Sequence, residues 1–522
     1  MIQRHLKTTL PILAALLYIV SFPVISYYPI AWLALVPLFY AIDESTIKRS
    51  FLYGMLFGLV GAIGMVHWVS HALLSYSNTN SLLVFVFLII GIGCGIGIFY
   101  GVFSIATGRI IQSEYPIALK AVLIACTWVI TEYLRARYFL FSGAPWALLG
   151  QSQYKWLHLI QIADITGVYG LSFLIVLTNF IIYSVLKNKS DLFFCVKQAS
   201  LPIVLLLIVL AYGSVRLSYY SEKEEKTVPN QKKAAIIQVS ISQDAKWRRT
   251  KMKLKRLIAH HMKLTKKALD DGAKLIIWPE TTMPIYLEEK LPPKITSILS
   301  YYNAELITGG PRLVKTKEAV KEYNSVFKIG RKGIEKHHDK IHLLPFGEYY
   351  PLGFIDLLKL GNDMAGNFEA GNDFTIFESR LGSFGTLVCF ETLFPYLSRG
   401  FVNEGAEFLV NVSNDAWFGK TSEHYQHFSM GVFTAVSFRR QILRSANTGI
   451  SGVIEASGKI KETIGQFEEG YIICEPMKNR EITFYCKYGD FFVFLCFICF
   501  FIGVIVKRRV IGLNKGIRHI CI

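Results

Sequence analysis

The stretch LGSFGTLVCFE, residues 381–391, is an apolar run of strand length that ends in a cysteine and a glutamate. A helix is predicted to begin near Phe394, directly behind this strand. A thiol between a strand end and a helix start meets backbone N–H groups and the positive end of the helix, and both favour the nucleophilic thiolate. The alternative interpretation of Cys389 is a buried structural thiol, so the neighbouring motifs have to decide between the two.

Further apolar runs of strand length lie on both sides of this stretch. They cover residues 234–241, 275–278 and 408–412. Helical patterns are predicted at about 249–270, 394–405 and 423–445. This alternation of strands and helices predicts an α/β domain with helices covering a sheet, and we place it at residues 221–488.

A carboxylate is predicted at the edge of that sheet. In LIIWPE, residues 275–280, the apolar strand breaks at Pro279 and is followed by Glu280. Packing against Trp278 would shield the carboxylate from water and raise its pKa, which suits a general base near neutral pH. The alternative is a solvated glutamate at a strand end.

A lysine is the third candidate. Lys340 lies in the basic run 336–342 and is followed by the apolar, glycine-containing run 343–349. A solvated surface is the simple interpretation of the basic run, but the apolar continuation argues against full exposure. A buried lysine stabilises both a thiolate and the oxyanion of an attacked carbonyl. His337, His338 and His342 lack a recognised metal-binding spacing, so we predict no metal.

The composition of the whole 522-residue chain predicts a membrane protein, since 52% of its residues are hydrophobic. Most of them are concentrated in long runs. About 20 apolar residues cross a bilayer. We predict eight spans, at 8–25, 28–42, 51–73, 81–106, 118–135, 164–186, 199–217 and 489–506. The predicted domains are therefore a multi-span membrane domain (1–220), the α/β domain (221–488), and a closing span with a basic tail (489–522).

The basic residues between these spans predict the orientation. Alternating sides places the clusters at the amino terminus, 48–49, 109–120, 187–197 and 507–509 on one face, which the positive-inside rule assigns to the cytoplasm. The α/β domain then faces outward. The net charge of +18 therefore reflects membrane orientation, and no nucleic-acid partner is predicted.

Five motifs in order carry a family resemblance. They are Trp278-Pro279-Glu280, Tyr323-Asn324-Ser325, Lys340 with PFGE at 345–348, Cys389-Phe390-Glu391, and NVSNDAWFG at 411–419. In this order they resemble the nitrilase, or carbon–nitrogen hydrolase, superfamily. With flanking spans and the segments at 145–153 and 167–170, nearly the whole chain resembles the family of bacterial apolipoprotein N-acyltransferases.

The resemblance implies a nitrilase-like α/β sandwich with a Glu-Lys-Cys triad. Glu280 would be the proton acceptor, Lys340 the stabilising cation and Cys389 the acylated nucleophile. Supporting roles are implied for Glu348 and Glu391, and substrate-binding positions for Trp247, Asn324 and Trp417. The segment 238–243 departs from the family pattern, with serine at positions 240 and 242.

The implied reaction moves a fatty acyl chain from a membrane phospholipid to the amino-terminal amine of a diacylglyceryl-cysteine on an apolipoprotein. It needs no cofactor, and it places the enzyme in the bacterial inner membrane with the catalytic domain on the periplasmic side. The apolar residues and glycines of the segment 352–371 fit a lipid-facing arm, with an ordinary surface helix and loop as the alternative. Two alternatives stay open: a membrane-tethered amidase or nitrilase, and a transporter or receptor whose outer domain only binds ligand.

Overall fold

The computed structural model describes residues 2–76, 80–139, 142–188, 192–225, 232–241, 251–315, 317, 319–349, 367–503 and 505. The chain forms two compact units. The first is made of Met1–Val66, Val86–Tyr212 and Asp490–Ile522, and the second of His67–Phe85 and Gly213–Gly489.

The amino-terminal half is helical, as its long apolar runs predict. Its α-helices are Ile2–Val20, Val36–Ile42, Ile47–Val66, Val69–Tyr76, Ser81–Val86, Gly95–Ile111, Ile117–Tyr138, Leu157–Ile160, Ala163–Thr166, Val168–Lys187 and Leu192–Glu225. A π-helical stretch, Phe87–Cys94, joins Ser81–Val86 to Gly95–Ile111 in one continuous apolar helix.

Among the described residues, five helices are long and apolar enough to cross a membrane: Ile47–Val66, Ser81–Ile111, Ile117–Tyr138, Val168–Lys187 and Cys195–Lys223. They correspond to five of the eight predicted spans. The other three fall on shorter apolar helices, Lys7–Val20, Tyr28–Ile42 and Phe491–Gly503. The helical membrane class is confirmed, whereas the count of eight stays a prediction.

Glycines bring two of these helices together. A Cβ atom at Gly58 on Ile47–Val66 would lie 2.8 Å from the Cα of Gly97 on the neighbouring helix. Gly54 and Gly101 extend the same small-residue spacing of four along each helix, and a Cβ at Gly54 would overlap the carbonyl of Tyr100. Small residues at this spacing let two apolar helices approach closely in a membrane.

The second unit contains two six-stranded sheets. Its strands are β1 Lys233–Gln238, β2 Ala273–Ile277, β3 Glu305–Lys315, β4 Val320–Gly330, β5 Gly333–Asp339, β6 Phe377–Ser379, β7 Gly382–Val388, β8 Phe408–Ser413, β9 Ile442–Ala446, β10 Ser451–Ile454, β11 Ile460–Ile464 and β12 Gly470–Cys474. The strand orders are β12-β1-β2-β3-β4-β5 and β11-β10-β9-β8-β7-β6. The centre of each sheet is parallel, β1-β2-β3 in one and β7-β8-β9 in the other.

The two sheets pack face to face. Ile236 and Ile277 of the first sheet share one buried apolar cluster with Val388 and Val410 of the second. Burying one such side chain contributes about 1.5–3 kcal/mol, so this shared face is a main source of stability for the unit. The hydroxyl of Ser445 on β9 also donates a hydrogen bond across the sandwich.

Helices cover the outer faces of the sandwich. The helices of this unit beyond residue 225 are Lys251–Asp270, Pro293–Tyr302, Pro395–Asn403, Glu423–Phe438 and Phe484–Tyr488. Alternate residues of β1 and β2, such as Ile237 and Ile276, pack against Met262 and Leu299 on the first two helices. The predicted α/β sandwich is therefore confirmed.

One predicted helix was too long. We expected a helix over 423–445, but it ends at Phe438 and residues 442–446 form β9. Arg439, the residue after the helix, adopts a left-handed conformation with φ +50°, which ends the helical path. Arg440 then turns inward and donates from its buried guanidinium to the carbonyl of Ala406.

Candidate active site

The cysteine predicted as nucleophile lies at the carboxyl end of β7. Cys389 begins a short 3-10 helix, Cys389–Leu393, and has a left-handed backbone with φ +56°. A cysteine rarely adopts this conformation, which costs on the order of 1 kcal/mol or more and is typical of functional turns. The sharp turn leaves Cys389 partly accessible between two otherwise buried elements.

Glu280 follows β2 and is almost fully buried. Its Oε1 accepts a hydrogen bond of 2.8 Å from the amide of Asn324, and its Oε2 accepts one of 2.9 Å from the backbone N–H of Asn414. We expected Trp278 to shield this carboxylate from water. Trp278 packs with the helix Lys251–Asp270, where its indole N–H donates to Thr265.

Lys340 follows β5 and is 1% exposed. Its ammonium nitrogen lies 2.9 Å from Oε1 of Glu348 and 3.6 Å from Oε1 of Glu280. Burial opposes the charge on the lysine, but the two carboxylates outweigh burial and raise the pKa of Lys340 above its ordinary value. The lysine is therefore a fixed cation at neutral pH.

A second carboxylate and an amide hold this cation in place. The amide nitrogen of Asn324 donates to Glu348 at 2.6 Å as well as to Glu280, so one side chain bridges both carboxylates. The other oxygen of Glu348 accepts from the backbone N–H of Leu344 at 2.7 Å. The predicted supporting role of Glu348 therefore has a geometric basis. A substrate contact by Asn324 stays a prediction.

Glu391 links the lysine segment to the cysteine turn. Its carboxylate accepts hydrogen bonds from the backbone N–H groups of Ile341 (2.7 Å), His342 (2.8 Å) and Val388 (2.7 Å). Burial raises the pKa of Glu391 to about 7, even though Lys340 and these N–H groups act in the opposite direction. The side chain thus ties the residues after Lys340 to the residue before Cys389.

The charges of this site act on the thiol. Burial and the negative charge of Glu280 raise the pKa of the Cys389 thiol well above its ordinary value, while the charge of Lys340 and a hydrogen bond from Ser413 lower it. The net direction is upward, so the resting thiol keeps its proton at neutral pH. A base must therefore remove that proton before the sulfur can attack.

Two tryptophans, Trp247 and Trp417, were also predicted to bind substrate. Trp417 is half-buried on the short helix Asp415–Phe418, and its carbonyl lies 3.3 Å from Nδ1 of His71. Trp247 lies outside the described residues, as do most of the predicted lipid-facing arm at 352–371 and Ser242.

Sequence reasoning did not select a buried polar network next to Cys389. Its members are Asn411, Asp415, Glu423, His427 and Arg444. Asn411 and Asp415 stand in the quoted motif at 411–419, and Glu423 with His427 has the spacing of one helical turn. These two features were the local signals for the network. The burial of His427 on a helix and of Arg444 on a strand leaves no local pattern in the sequence.

Two family models match the chain. The carbon-nitrogen hydrolase model matches residues 233–476, which contain both sheets and the site described above. The second unit is thus a carbon–nitrogen hydrolase domain. The model of the apolipoprotein N-acyltransferase N-terminal domain matches residues 14–181.

Similar curated proteins extend over nearly the whole chain. The apolipoprotein N-acyltransferase of Geobacter metallireducens is 35% identical over 521 residues, covering 97% of this chain and 96% of its own. That of Thermotoga maritima is 29% identical over 534 residues, covering 97% and 95%. The chain belongs to the apolipoprotein N-acyltransferase family and is an acyltransferase with a carbon–nitrogen hydrolase domain.

Among solved structures, Saccharomyces cerevisiae Nit3, a member of branch 10 of the nitrilase superfamily, is similar with 20% identity and a TM-score of 0.34. The match covers 47% of this chain and 89% of that protein.

Proposed function

We propose that the chain transfers an acyl group from a membrane phospholipid, through a thioester on Cys389, to the amino-terminal amine of a diacylglyceryl-cysteine on an apolipoprotein. The acceptor follows from the names of the relatives, which are apolipoprotein N-acyltransferases. The observation that carries the proposal is a buried Lys340 held by two carboxylates, with the charges of Lys340 and Glu280 acting on a partly accessible thiol.

In the first half-reaction, Glu280 takes the proton of the Cys389 thiol and the thiolate attacks the ester carbonyl carbon of a phospholipid. The carbonyl electrons move to oxygen, where Lys340 stabilises the negative charge. Collapse of this oxyanion breaks the ester C–O bond. The leaving alkoxide takes the proton from Glu280 and departs as a lysophospholipid, and the acyl group stays on sulfur.

In the second half-reaction, the lipoprotein amine attacks the thioester carbonyl and Glu280 accepts a proton from the attacking nitrogen. The new oxyanion again lies near Lys340. Its collapse breaks the C–S bond, and the thiolate regains a proton from Glu280. The balance is ester plus amine giving amide plus alcohol, so neither a metal nor a redox cofactor is required.

The proposal includes the location of the reaction. Both substrates carry acyl chains that reside in a bilayer, and five helices of the described chain are long and apolar enough to cross one. The basic residues between the predicted spans favour an inner-membrane protein with the catalytic domain on the periplasmic side. Cysteine accessibility labelling in intact and permeabilised cells tests this orientation.

The test of the chemistry is intact-protein mass spectrometry after incubation with a defined phosphatidylethanolamine. We expect an acyl-sized mass increase in the wild type and none in Cys389→Ala. The adduct should persist until a diacylglyceryl-cysteine peptide is added and then move to the peptide amine. Rapid release of free fatty acid without the peptide would favour a hydrolase instead, and an adduct on Cys389→Ala would contradict the proposal.

A further inference from the structure

A buried charged network lies next to the turn that carries Cys389, and the proposed chemistry does not use it. Its titratable members are Asp415, Glu423, His427 and Arg444, none of which is more than 2% exposed. Burying charges is costly unless they are paired. Here Arg444 pairs with Asp415 at 2.8 Å, and His427 lies 3.2 Å from Glu423, whose pKa is raised by burial and by the charge of Asp415.

The network reaches the nucleophile through its backbone carbonyl. The carbonyl oxygen of Cys389 accepts a hydrogen bond from Nε2 of His427 at 3.2 Å and one from the side-chain amide of Asn411 at 3.1 Å. The same amide donates to the carbonyl of Leu387, and its oxygen accepts from Arg444. Asn411 on β8 and His427 on the helix Glu423–Phe438 thus both donate to the carbonyl of Cys389.

The two ring nitrogens of His427 face different partners. Nδ1 lies 3.1 Å from a guanidinium nitrogen of Arg444, 3.2 Å from Glu423 and 3.3 Å from Asp415, while Nε2 faces the Cys389 carbonyl. Burial and the nearby charge of Arg444 oppose protonation, but the two carboxylates outweigh them and raise the pKa of His427. The imidazolium and one neutral tautomer both carry a proton on Nε2, and in that tautomer Nδ1 can accept from Arg444, so either form can donate to the Cys389 carbonyl.

A bound cation is not needed to explain the acidic residues of the network. Asp415, Glu423 and His424 offer ligand atoms within 4.8 Å of one another. The oxygens of Asp415, however, already meet the Arg444 guanidinium, the Ser413 hydroxyl and His427. Groups of the protein itself therefore balance the charge of Asp415.

We infer that His427 is a positioning residue for the nucleophile. It holds the left-handed turn at Cys389 by donating to the carbonyl of that residue, and Asp415 and Glu423 hold the donor in place. The inference rests on the proposed function, because positioning matters only if the sulfur of Cys389 attacks. A turn with φ +56° persists only where its surroundings impose it, and here two side-chain donors do so.

The expected effect is on chemistry and not on phospholipid binding. Misplacing a reacting atom by about 1 Å costs roughly 10²-fold in rate. We expect His427→Leu to slow acylation of Cys389 by about 10- to 100-fold, with the phospholipid KM within about twofold of wild type. In His427→Gln an amide N–H can replace the Nε2 donor, so the rate should return to within about fivefold of wild type.

The experiment measures the rate of the acyl adduct by intact mass in full-length protein, over a range of phosphatidylethanolamine concentrations. Ser429→Ala is the matched control, because Ser429 is a buried polar residue of the same helix whose hydroxyl bonds only to the carbonyl of Gln426 among its described contacts. Should His427→Leu fail to fold, His427→Asn replaces it, since its shorter amide cannot reach the carbonyl.

The outcomes separate the two proposals. If wild type and Ser429→Ala form no adduct, the proposed function is overturned, and the positioning role with it. If both form the adduct and His427→Leu forms it equally fast, only the positioning role is overturned. Slow acylation in His427→Leu or His427→Asn with recovery in His427→Gln supports it, whereas equal slowing in the Gln variant contradicts it.

Discussion

The ammonium group of Lys340 lies nearer to Glu348, at 2.9 Å, than to Glu280, at 3.6 Å. The carboxylate that we propose as the base is therefore not the lysine's principal partner. Glu348 is the nearer partner of the lysine, and the amide of Asn324 donates to the same oxygen of each carboxylate that Lys340 approaches. In the proposed mechanism, this division lets Glu280 exchange a proton while Lys340 keeps its position and its charge.

Glu348→Gln should therefore reduce catalysis without touching the nucleophile or the base. Without Glu348, Lys340 would move closer to Glu280 than 3.6 Å, and the shorter ion pair would make that carboxylate a weaker base. We expect the acylation rate to fall by about 10- to 100-fold, measured as adduct formation by intact mass. Glu322→Gln, which removes a carboxylate from the same strand as Asn324, should stay near wild type. Equal loss in both variants would contradict this division of roles.

Lys340→Met should make the Cys389 thiol harder to ionise, because the lysine charge lowers the thiol pKa. Each unit of pKa corresponds to about a tenfold change in thiolate at a given pH. We expect alkylation of Cys389 by iodoacetamide to slow by about tenfold or more, with its pH profile displaced to higher pH. Lys336→Met, on the strand β5 that precedes Lys340, is the control. An unchanged profile in Lys340→Met would show that the lysine does not act on the thiol.

The raised pKa of Glu391 predicts that the free energy of unfolding depends on pH. Its pKa is raised to about 7 in the folded protein and is about 4.3 in an unfolded chain. Between these values the folded state holds a proton that the unfolded state releases. The stabilisation of the folded state by protonated Glu391 is thus fully present below about pH 4.3. It is lost as the pH rises through about 7, and the loss is on the order of 3 kcal/mol.

Glu391→Gln removes this titration. Melting temperatures in detergent should show the wild-type advantage over Glu391→Gln shrinking between pH 5 and pH 7.5, by the linkage just described. The absolute stability of the variant is a separate matter, since an amide cannot accept from all three N–H groups equally well. Glu404→Gln, an exposed site, controls for the loss of a carboxylate. A difference that is constant with pH would refute the assignment.

The sequence predicted the proposed catalytic residues better than their surroundings. Glu280 and Cys389 each follow an apolar strand that can be recognised from a local pattern, whereas Lys340 follows β5, whose sequence GIEKHHD is mostly polar. The strands β3 to β5 were not predicted, although β4 carries Asn324 and β5 leads directly into Lys340. Their residues, including charged ones such as Lys328, which pairs with Glu305, do not alternate simply between apolar and polar.

The network around His427 could not have been predicted from local patterns. Arg444 lies within a stretch that was expected to be helical, and its burial depends on Asp415, which is 29 residues away in the chain. Pairing across such a distance is a property of the folded sandwich. The membrane half shows the same limit, because length and hydropathy identify apolar helices without deciding how many of them cross a bilayer.

A methyl group added at position 419 should disturb the loop that carries Trp417. Gly419 has φ +59°, and a Cβ atom there would overlap Nε2 of His71, whose other ring nitrogen contacts the Trp417 carbonyl. Gly419→Ala should therefore displace His71, lower the melting temperature by an amount equivalent to about 1–3 kcal/mol, and raise the KM for substrate if Trp417 lines the pocket.

Two further variants separate the steric effect from backbone strain. Gly405 also has a positive φ, of +97°, but a Cβ there meets no atom within 4 Å, so Gly405→Ala reports strain alone. His71→Ala combined with Gly419→Ala removes the clash and should recover part of the stability lost in the single glycine variant. Because the ring and the new methyl group compete for one space, the two changes must be non-additive. Additive losses in thermal unfolding would show that His71 does not pack against Gly419.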